Sequence, residues 1–301
     1  MTQTARPLPP SAIIEPGNAW QPGRLNAPRH LIDWTRIVTN LFILFALALI
    51  VSSIGFKNFI WFISLGYGFS VAAIGVAIMV LFWHQLTPAT VIMCCLFIVY
   101  GCRLGLYLLV REVKSASYKK TLKGEIKDGS TMSFGVKVAI WVTCALLYVC
   151  ETSPVLFRLG NGGPDDVCSI VGLVLMVCGI ALEAAADATK SRFKRQHPRR
   201  FCDVGLFRLV RCPNYLGEVI TWTGAFVSGI TIYSGPLQWV VALAGYVCIV
   251  YIMFGGARRL EIRQNKNYGA DPEYQAYVKS VPILIPFIPL YSVEKYKWLV
   301  S

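Results

Sequence analysis

The residues best suited to chemistry lie between Phe201 and Glu218, in the sequence FCDVGLFRLVRCPNYLGE. Basic, turn-forming and polar residues are concentrated here between two long apolar segments. Pro213 suits the first turn of a helix, and Asn214 and Glu218 follow with i, i+4 spacing, so they share one face. Because a helix N-terminus offers free N–H groups and a positive dipole end, the segment predicts a site for an anionic or amide-bearing ligand. In the structural alternative, Asn214 only caps the helix and Glu218 neutralises a nearby arginine.

A basic stretch, from Glu183 to Arg200, precedes this segment. Its cationic residues are Lys190, Arg192, Lys194, Arg195, Arg199 and Arg200. Such a cluster at a membrane surface suits a ligand that carries phosphate. Glu183 and Asp187 lie one helical turn apart at its start, where they are either functional acids or the solvated end of a helix.

A third group of polar residues falls inside an apolar segment. Tyr100, Arg103, Tyr107 and Arg111 follow helical spacing on one stripe. An unpaired guanidinium in hydrocarbon is costly, so Arg103 must face water or a partner. The stripe is either a cavity wall that binds an anion and a carbonyl, or a structural arrangement in which Arg103 pairs with a buried glutamate such as Glu151, Glu183 or Glu218.

The tail after the last apolar segment, ARRLEIRQNKNYGADPEYQAYVKSVP, returns polar and aromatic residues toward the same end of the molecule. They include Arg258, Glu261, Arg263, Tyr268, Tyr274 and Tyr277. Asp271 and Pro272 predict the start of a short helix. The tail is either a polar lid over a site or an interfacial packing element.

The composition defines the elements that must position these residues. The 301 residues are 55% hydrophobic and 15% charged, too apolar for a soluble globular domain. Seven windows reach the roughly 20 apolar residues that cross about 30 Å of hydrocarbon. They lie near 37–55, 59–82, 89–110, 134–153, 167–186, 214–233 and 236–256. We therefore predict an all-α membrane protein with seven transmembrane helices.

Two further segments do not fit a span. The apolar run VPILIPFIPL, from Val281 to Leu290, is short and contains three prolines, so we interpret it as interfacial or re-entrant. Residues 1–36 are rich in proline and lack the features of a signal peptide, which predicts an extended or disordered arm.

The charge distribution predicts the orientation. Of the 29 Lys and Arg residues, 21 lie in loops 111–133 and 187–213 and in the tail after Tyr251, which seven spans place on one side. The positive-inside rule makes that side, with the C-terminus, cytoplasmic, and the arm without a signal peptide favours the endoplasmic reticulum. Topology accounts for the basic balance, so we predict membrane lipids as partners, with no nucleic acid and no obligate protein partner. The three His and ten Cys residues lack the spacing of a metal site.

The string GLFRLVRCPNYLGE resembles the signature of the steroid 5-alpha-reductase C-terminal domain family. The resemblance extends to Asp187 and Lys190, to RLGLYLLVR in the third span and to the ending EYQAYVKSVP. It implies a membrane reductase that holds NADPH in a cytoplasm-facing cavity and reduces the carbon–carbon double bond of an enone in a lipid-like substrate. Residues 37–153 would then form an N-terminal four-helix part, and 154–301 a reductase-like part with the cytoplasmic loops and tail.

The resemblance also implies roles for single residues. Asn214 and Glu218 look like the pair on the nicotinamide and ribose side, and Asp187 like an adenosine contact. Tyr107 is the candidate donor that polarises the carbonyl, with Glu218 as the second catalytic residue. The residues predicted to bind NADPH are Arg111, Asp187, Lys190, Arg192, Lys194, Arg200, Asn214, Tyr215, Glu218, Arg258 and Glu261.

Two departures from the family pattern leave alternatives open. Cys212 stands where relatives usually have His, and the second span has no Glu to partner a catalytic tyrosine. One alternative is an isoprenylcysteine or phospholipid methyltransferase that uses S-adenosylmethionine, although Asn214 and Glu218 favour the reductase. The other is a catalytically inactive relative that binds lipid.

Overall fold

The computed structural model of the protein describes the backbone of residues 34–114 and 132–299, and the side chains of these residues except 111–114. Regular structure in these ranges is helical, without β-strands. Residues 1–33 of the predicted arm and most of the basic loop 111–133 lie outside the described residues, whereas residues 34–36, also predicted as part of the arm, are helical.

Eight α-helices occur in the described ranges. They are α1 (Trp34–Ser52), α2 (Leu65–Leu81), α3 (Pro88–Lys114), α4 (Phe134–Gly160), α5 (Val167–Gln196), α6 (Pro213–Gly229), α7 (Gly235–Tyr268) and α8 (Pro272–Ser280). Pro213 and Pro272 occupy first turns as predicted, and the Asp271 side chain accepts a hydrogen bond from the Glu273 backbone at the start of α8. The boundary predicted between residues 153 and 154 lies inside α4, which continues through Pro154.

Within the described residues, six segments are long and apolar enough to cross a membrane. They are Trp34–Phe56, Phe59–Leu81, Pro88–Val110, Phe134–Gly160, Val167–Gln196 and Gly235–Tyr268. They match six of the seven predicted windows, and they make this an integral multi-pass membrane protein. The seventh window contains α6, whose 17 residues are too few to place it among the six.

The helices α5 and α7 are longer than a bilayer requires. With 30 and 34 residues, they extend over about 45 and 50 Å at 1.5 Å per residue, against roughly 30 Å of hydrocarbon. Their C-terminal turns are basic and meet where Lys194 Nζ lies 2.9 Å from the Tyr268 hydroxyl. We call this part of the bundle, with the N-terminus of α6, the basic end.

Small residues bring neighbouring helices into backbone contact, as in many membrane bundles. A Cβ atom on Gly101 of α3 would lie 2.1 Å from the Gly68 carbonyl oxygen of α2. A Cβ atom on Gly217 of α6 would lie 2.7 Å from both the Gly179 carbonyl oxygen and the Glu183 nitrogen of α5. The close approach of α5 and α6 places Glu183 directly beside the turn that carries Glu218.

A polar cluster joins α4, α5 and α6 at the opposite end. The fully buried Arg158 donates to Asp166 Oδ1 at 2.9 Å and to the Ser228 carbonyl at 2.8 Å, and Thr231 donates to Asp166 Oδ2 at 2.5 Å. Burial alone would raise the pKa of Asp166, but hydrogen bonds from Thr231, the Ser169 backbone and Arg158 lower that pKa to about 2. The carboxylate is therefore charged at neutral pH and caps α5 through Ser169.

The chain after α8 is not helical and folds back over the basic end. Its backbone pairs with the segment before α6, because the Arg211 and Cys212 amides donate to the Pro282 and Ile283 carbonyls at 2.9 and 3.0 Å. The apolar run from residue 281 to 290 thus forms no helix, as its three prolines predict. Its interfacial or re-entrant position remains a prediction.

Candidate functional site

A hydrogen-bonded cluster buried among α2, α3 and α6 is the strongest candidate site. The hydroxyls of Tyr100 and Tyr67 lie 2.9 and 3.0 Å from Glu218 Oε1, and 3.0 Å from each other. Trp222 Nε1 donates to the Tyr67 hydroxyl at 2.8 Å. All four side chains are buried, with Tyr100 at 0% exposure and Glu218 at 6%. We call these four residues the Glu218 centre.

The hydrogen bonding of the centre leaves one proton that can change acceptor. Tyr67 donates to Glu218 while its oxygen accepts from Trp222. Tyr100 has a single hydrogen but two acceptors within 3.0 Å, Glu218 and Tyr67. A ligand carbonyl placed beside Tyr100 can therefore receive this hydrogen while the other bonds stay in place.

Local sequence accounts for the assembly of the centre. Glu218 and Trp222 are separated by four residues, so they lie on one face of α6. Tyr67 lies beside Gly68, and Tyr100 beside Gly101, the two glycines through which α2 and α3 make backbone contact. The short distance between these helices brings the two phenols together.

Arg103 connects α3 to α5 one turn from Tyr100. Its guanidinium forms an ion pair with Glu183 and lies 3.2 Å from Asp187 Oδ2, with the Glu183 side chain only 4% exposed. Glu183 and Asp187 are therefore the partners that the sequence analysis required for Arg103. Asp187, which the resemblance implies as an adenosine contact, is already bonded to Arg103.

Several buried polar atoms in this region have no hydrogen-bond partner among the described residues. They are Glu183 Oε2, Asn214 Oδ1, Arg103 Nε and both carboxyl oxygens of Glu151. Unpaired buried polar groups are costly and uncommon in proteins. Their concentration around one centre is the pattern expected where a ligand completes the hydrogen bonding.

A small cationic pocket of about 110 Å³ lies at the basic end, between α5 and α7. It is lined by Lys190, Lys194, Phe201, Cys202, Phe207, Leu260, Arg263, Gln264, Asn267 and Tyr268. Its volume suits a phosphate group, and three cations with flat aromatic side chains suit a nucleotide. Two predicted phosphate ligands, Lys190 and Lys194, line it, and Arg263 is a cation that the sequence analysis had placed only in the tail.

Other predicted cofactor residues lie elsewhere at the basic end. Arg192 is exposed on α5. Arg200 is bonded to Asp203 at 2.9 Å and Glu273 at 2.6 Å, and these hydrogen bonds raise the pKa of its guanidinium. Tyr215 packs against Gly256 of α7. Arg111 lies where no side chain is described.

Arg258 and Glu261 are both engaged with the C-terminal segment. Arg258 Nε donates to the Glu294 carbonyl at 3.0 Å. Glu261 is 1% exposed, pairs with Arg211 at 2.8 Å, and accepts the Val293 and Glu294 amides at 2.9 and 3.0 Å. These contacts give both residues a structural function in holding the tail, and their predicted binding of NADPH stays a prediction.

The structure adds residues that sequence reasoning did not assign. The sequence pattern did not mark Tyr67 or Trp222 as site residues, because each is a single aromatic residue in an apolar segment. Tyr100 was on the predicted stripe, but Tyr107, two turns further along α3 and half-buried, was chosen as the donor. Cys212, which replaces the usual His, is 1% exposed, and burial raises the pKa of its thiol to about 12, so it cannot act as a base near neutral pH.

The residue types present are compatible with a ligand that carries phosphate and a carboxamide. The pocket at the basic end supplies cations for phosphate, and the buried Asn214 Oδ1 without a partner suits the N–H of a carboxamide. Asn214 lies one turn from Glu218 on α6, so such an amide would lie beside the Glu218 centre.

Fold and site together define a multi-pass α-helical membrane protein with a buried phenol and carboxylate centre. The chain belongs to the family described as "Protein of unknown function (DUF1295)", whose model matches residues 44–281. It is also similar to the protein named Steroid 5-alpha-reductase DET2 from Arabidopsis thaliana, with 36% identity over 61 residues. That similarity covers 18% of this chain and 22% of the relative, so the chain spans about a fifth of the relative's length. No solved structure gives a significant match.

Proposed function

We propose that this protein is an NADPH-dependent reductase that acts within the membrane on the carbon–carbon double bond of a lipid-like enone, such as a sterol, a steroid or an enoyl lipid. The Glu218 centre is the observation that carries the proposal, because it provides a buried phenol with a hydrogen that can be redirected to a carbonyl. The partial similarity to a protein named as a steroid reductase supports the same class of reaction.

The chemistry divides between cofactor and protein. When bound, NADPH would supply a hydride for the β carbon of the enone. Tyr100 hydrogen-bonds the carbonyl oxygen and stabilises the negative charge that develops there. Glu218 and Tyr67 hold the Tyr100 hydroxyl in position, and the burial of all three excludes water. We propose Tyr100 for the role predicted for Tyr107, because its hydroxyl belongs to the centre.

The proposal includes the location of the cofactor. Lys190, Lys194 and Arg263 at the basic end would bind phosphate, and Asn214 would bind the nicotinamide amide. The cavity would open toward the cytoplasm, with α6 as a seventh span and the C-terminus on the same side. The membrane of the endoplasmic reticulum remains our prediction.

The first experiment measures ligand-dependent thermal unfolding of the detergent-purified protein with NADPH, NADH and S-adenosylmethionine. A ligand at 100 times its Kd adds about 2.7 kcal/mol of stability. We expect stabilisation by NADPH, and its reduction in Asn214→Ala. Stabilisation by S-adenosylmethionine alone would replace the proposal by the methyltransferase, and no response to any of the three would favour a lipid-binding protein without catalysis.

The second experiment tests the catalytic tyrosine. NADPH oxidation is followed with a panel of steroid, sterol and linear enones, for the wild type, Tyr100→Phe and Tyr107→Phe. Loss of a general acid typically costs 10²–10⁴-fold in rate, so we expect a drop of at least about 100-fold for Tyr100→Phe and a small change for Tyr107→Phe. The reverse order would restore Tyr107 as the donor.

A further inference from the structure

Glu151 on α4 is a buried acid that the proposed reaction does not yet use. It is 3% exposed, and neither carboxyl oxygen has a hydrogen-bond partner among the described residues. The other buried glutamates differ: Glu218 accepts from two phenols, while Glu183 and Glu261 each pair with an arginine. Glu151 therefore needs a separate physical explanation.

The position of Glu151 places it against the Glu218 centre. One turn earlier on α4, the Tyr148 ring lies 5.2 Å from the Tyr67 ring, and the Tyr148 hydroxyl donates to the Phe62 carbonyl at 2.5 Å. On the other side of α4, a Cβ on Gly245 of α7 would lie 2.5 Å from the Glu151 nitrogen. These two contacts fix the turn of α4 that carries Glu151.

The groups that face the Glu151 carboxyl from the packed helices are phenols and acids. It interacts electrostatically with Tyr67 of α2, Tyr100 of α3 and Glu218 of α6. On α4 itself, Cys144 and Tyr148 are also within its electrostatic range. None of these described neighbours is a cation. The nearest donor, the Tyr67 hydroxyl, already donates to Glu218. An apolar interior with a second acid and no cation therefore disfavours a carboxylate and favours a carboxyl group that keeps its proton.

We propose that Glu151 is the acid that returns a proton to the Glu218 centre by way of Tyr67. This inference rests on the proposed reductase function. The Tyr100 O–H bond breaks as its proton moves to the enolate oxygen of the substrate, which gives the enol. The Tyr67 hydroxyl then turns from Glu218 to the Tyr100 oxygen, which lies 3.0 Å away, and its proton moves there. The Glu151 proton moves to the Tyr67 oxygen. After the enol leaves, it loses its O–H proton to water and gains a proton from water at the α carbon, which gives the ketone with no net change in protons. A solvent proton then restores the acid form of Glu151, so the net uptake is one solvent proton for each hydride.

The chain offers a matched pair of variants. Glu151→Gln keeps the size and a donor but cannot release a proton. Thr152→Val changes the next buried residue, whose hydroxyl bonds, within the described part of the chain, to the Tyr148 and Val149 carbonyls of its own helix. We expect Glu151→Gln to lower kcat at least tenfold and to increase the solvent deuterium isotope effect, with an unchanged Kd for NADPH. Thr152→Val should leave all three quantities within about twofold of the wild type.

An infrared measurement tests Glu151 independently of turnover. We expect the spectrum of the protein to contain a protonated-carboxyl C=O band that Glu151→Gln removes and Tyr67→Phe shifts. If the band is unchanged in Glu151→Gln, or if that variant has the kcat of the wild type, the proposal is wrong. If none of the tested enones supports NADPH oxidation by the wild type, the proposed reductase function is wrong. The infrared result alone then decides whether Glu151 is a neutral acid coupled to Tyr67.

Discussion

The close contact between α5 and α6 predicts that any side chain larger than hydrogen at Gly217 destabilises the protein. Alanine at this position adds one methyl group where the ideal Cβ lies 2.7 Å from the Glu183 nitrogen and the Gly179 carbonyl oxygen, and 3.0 Å from the Glu183 Cβ. Two of these three atoms belong to the backbone, so no side-chain rotation relieves the clash. The helices must separate by about 0.7 Å to restore an ordinary contact near 3.4 Å.

The magnitude follows from two opposing effects. Overpacking in a well-packed interior costs about 1–3 kcal/mol, whereas replacing glycine by alanine in a helix gains about 0.4–1 kcal/mol through the unfolded state. The net loss for Gly217→Ala is therefore about 1–2 kcal/mol. For a chain of this size that corresponds to a decrease in Tm of about 2–3 °C.

The assay is thermal unfolding in detergent, with Gly135→Ala as the control. A Cβ at Gly135, in the first turn of α4, meets nothing within 4 Å, so this variant should be as stable as the wild type or slightly more stable. Because the separation also moves Glu183 away from the turn of Glu218, Gly217→Ala should lose part of its stabilisation by NADPH. A Gly217→Ala protein with the Tm of Gly135→Ala would refute the close packing of α5 against α6.

Three further predictions concern the two ends of the bundle and its centre. Tyr100→Phe should lose only about 1 kcal/mol of stability, since one hydrogen bond is removed, and it should still be stabilised by NADPH. Thermal melts with and without NADPH measure both quantities. Lys194→Ala should weaken stabilisation by NADPH more than that by NADH, whereas Lys266→Ala, an exposed cation outside the pocket, should change neither. Because the folded pKa of Asp166 is lowered from 3.8 to about 2, its stabilising contribution is complete above about pH 5 and is lost as the pH falls toward 2. Between pH 6 and pH 3, the free energy of unfolding should therefore fall by about 1 kcal/mol more in the wild type than in Asp166→Asn. Thermal melts of both proteins at the two pH values measure this difference.

Much of the architecture could be predicted because it is encoded locally. A span is a property of about 20 consecutive residues, so six of the seven windows reappear as candidate spans. The first-turn prolines and the proline-broken run near residue 286 are also local signals. The helix α6 shows the limit, because its apolar window continues to residue 233 while the helix ends at Gly229.

The site was harder to predict because its partners are distant in sequence. Glu218 meets Tyr67 and Tyr100, which lie 151 and 118 residues away. Helical spacing placed Tyr100 and Tyr107 on one face of α3, but periodicity carries no information about which turn faces the acid. That choice depends on where α2 and α6 approach α3, and the glycine contacts that set this approach are tertiary.

Glu151 and Glu261 show why residue type alone did not separate site from scaffold. Both are glutamates almost completely buried in helices. Glu261 received a functional prediction from its place in the tail, yet Arg211 and two backbone amides satisfy its oxygens. Glu151 received no catalytic role, yet both its oxygens lack partners. A buried acid whose bonds are complete has its structural reason for being there, whereas one with incomplete bonds beside two phenols needs a ligand or a proton to explain its burial. This difference in hydrogen bonding, which only the packed structure contains, is why the additional proton-transfer hypothesis concerns Glu151 and not Glu261.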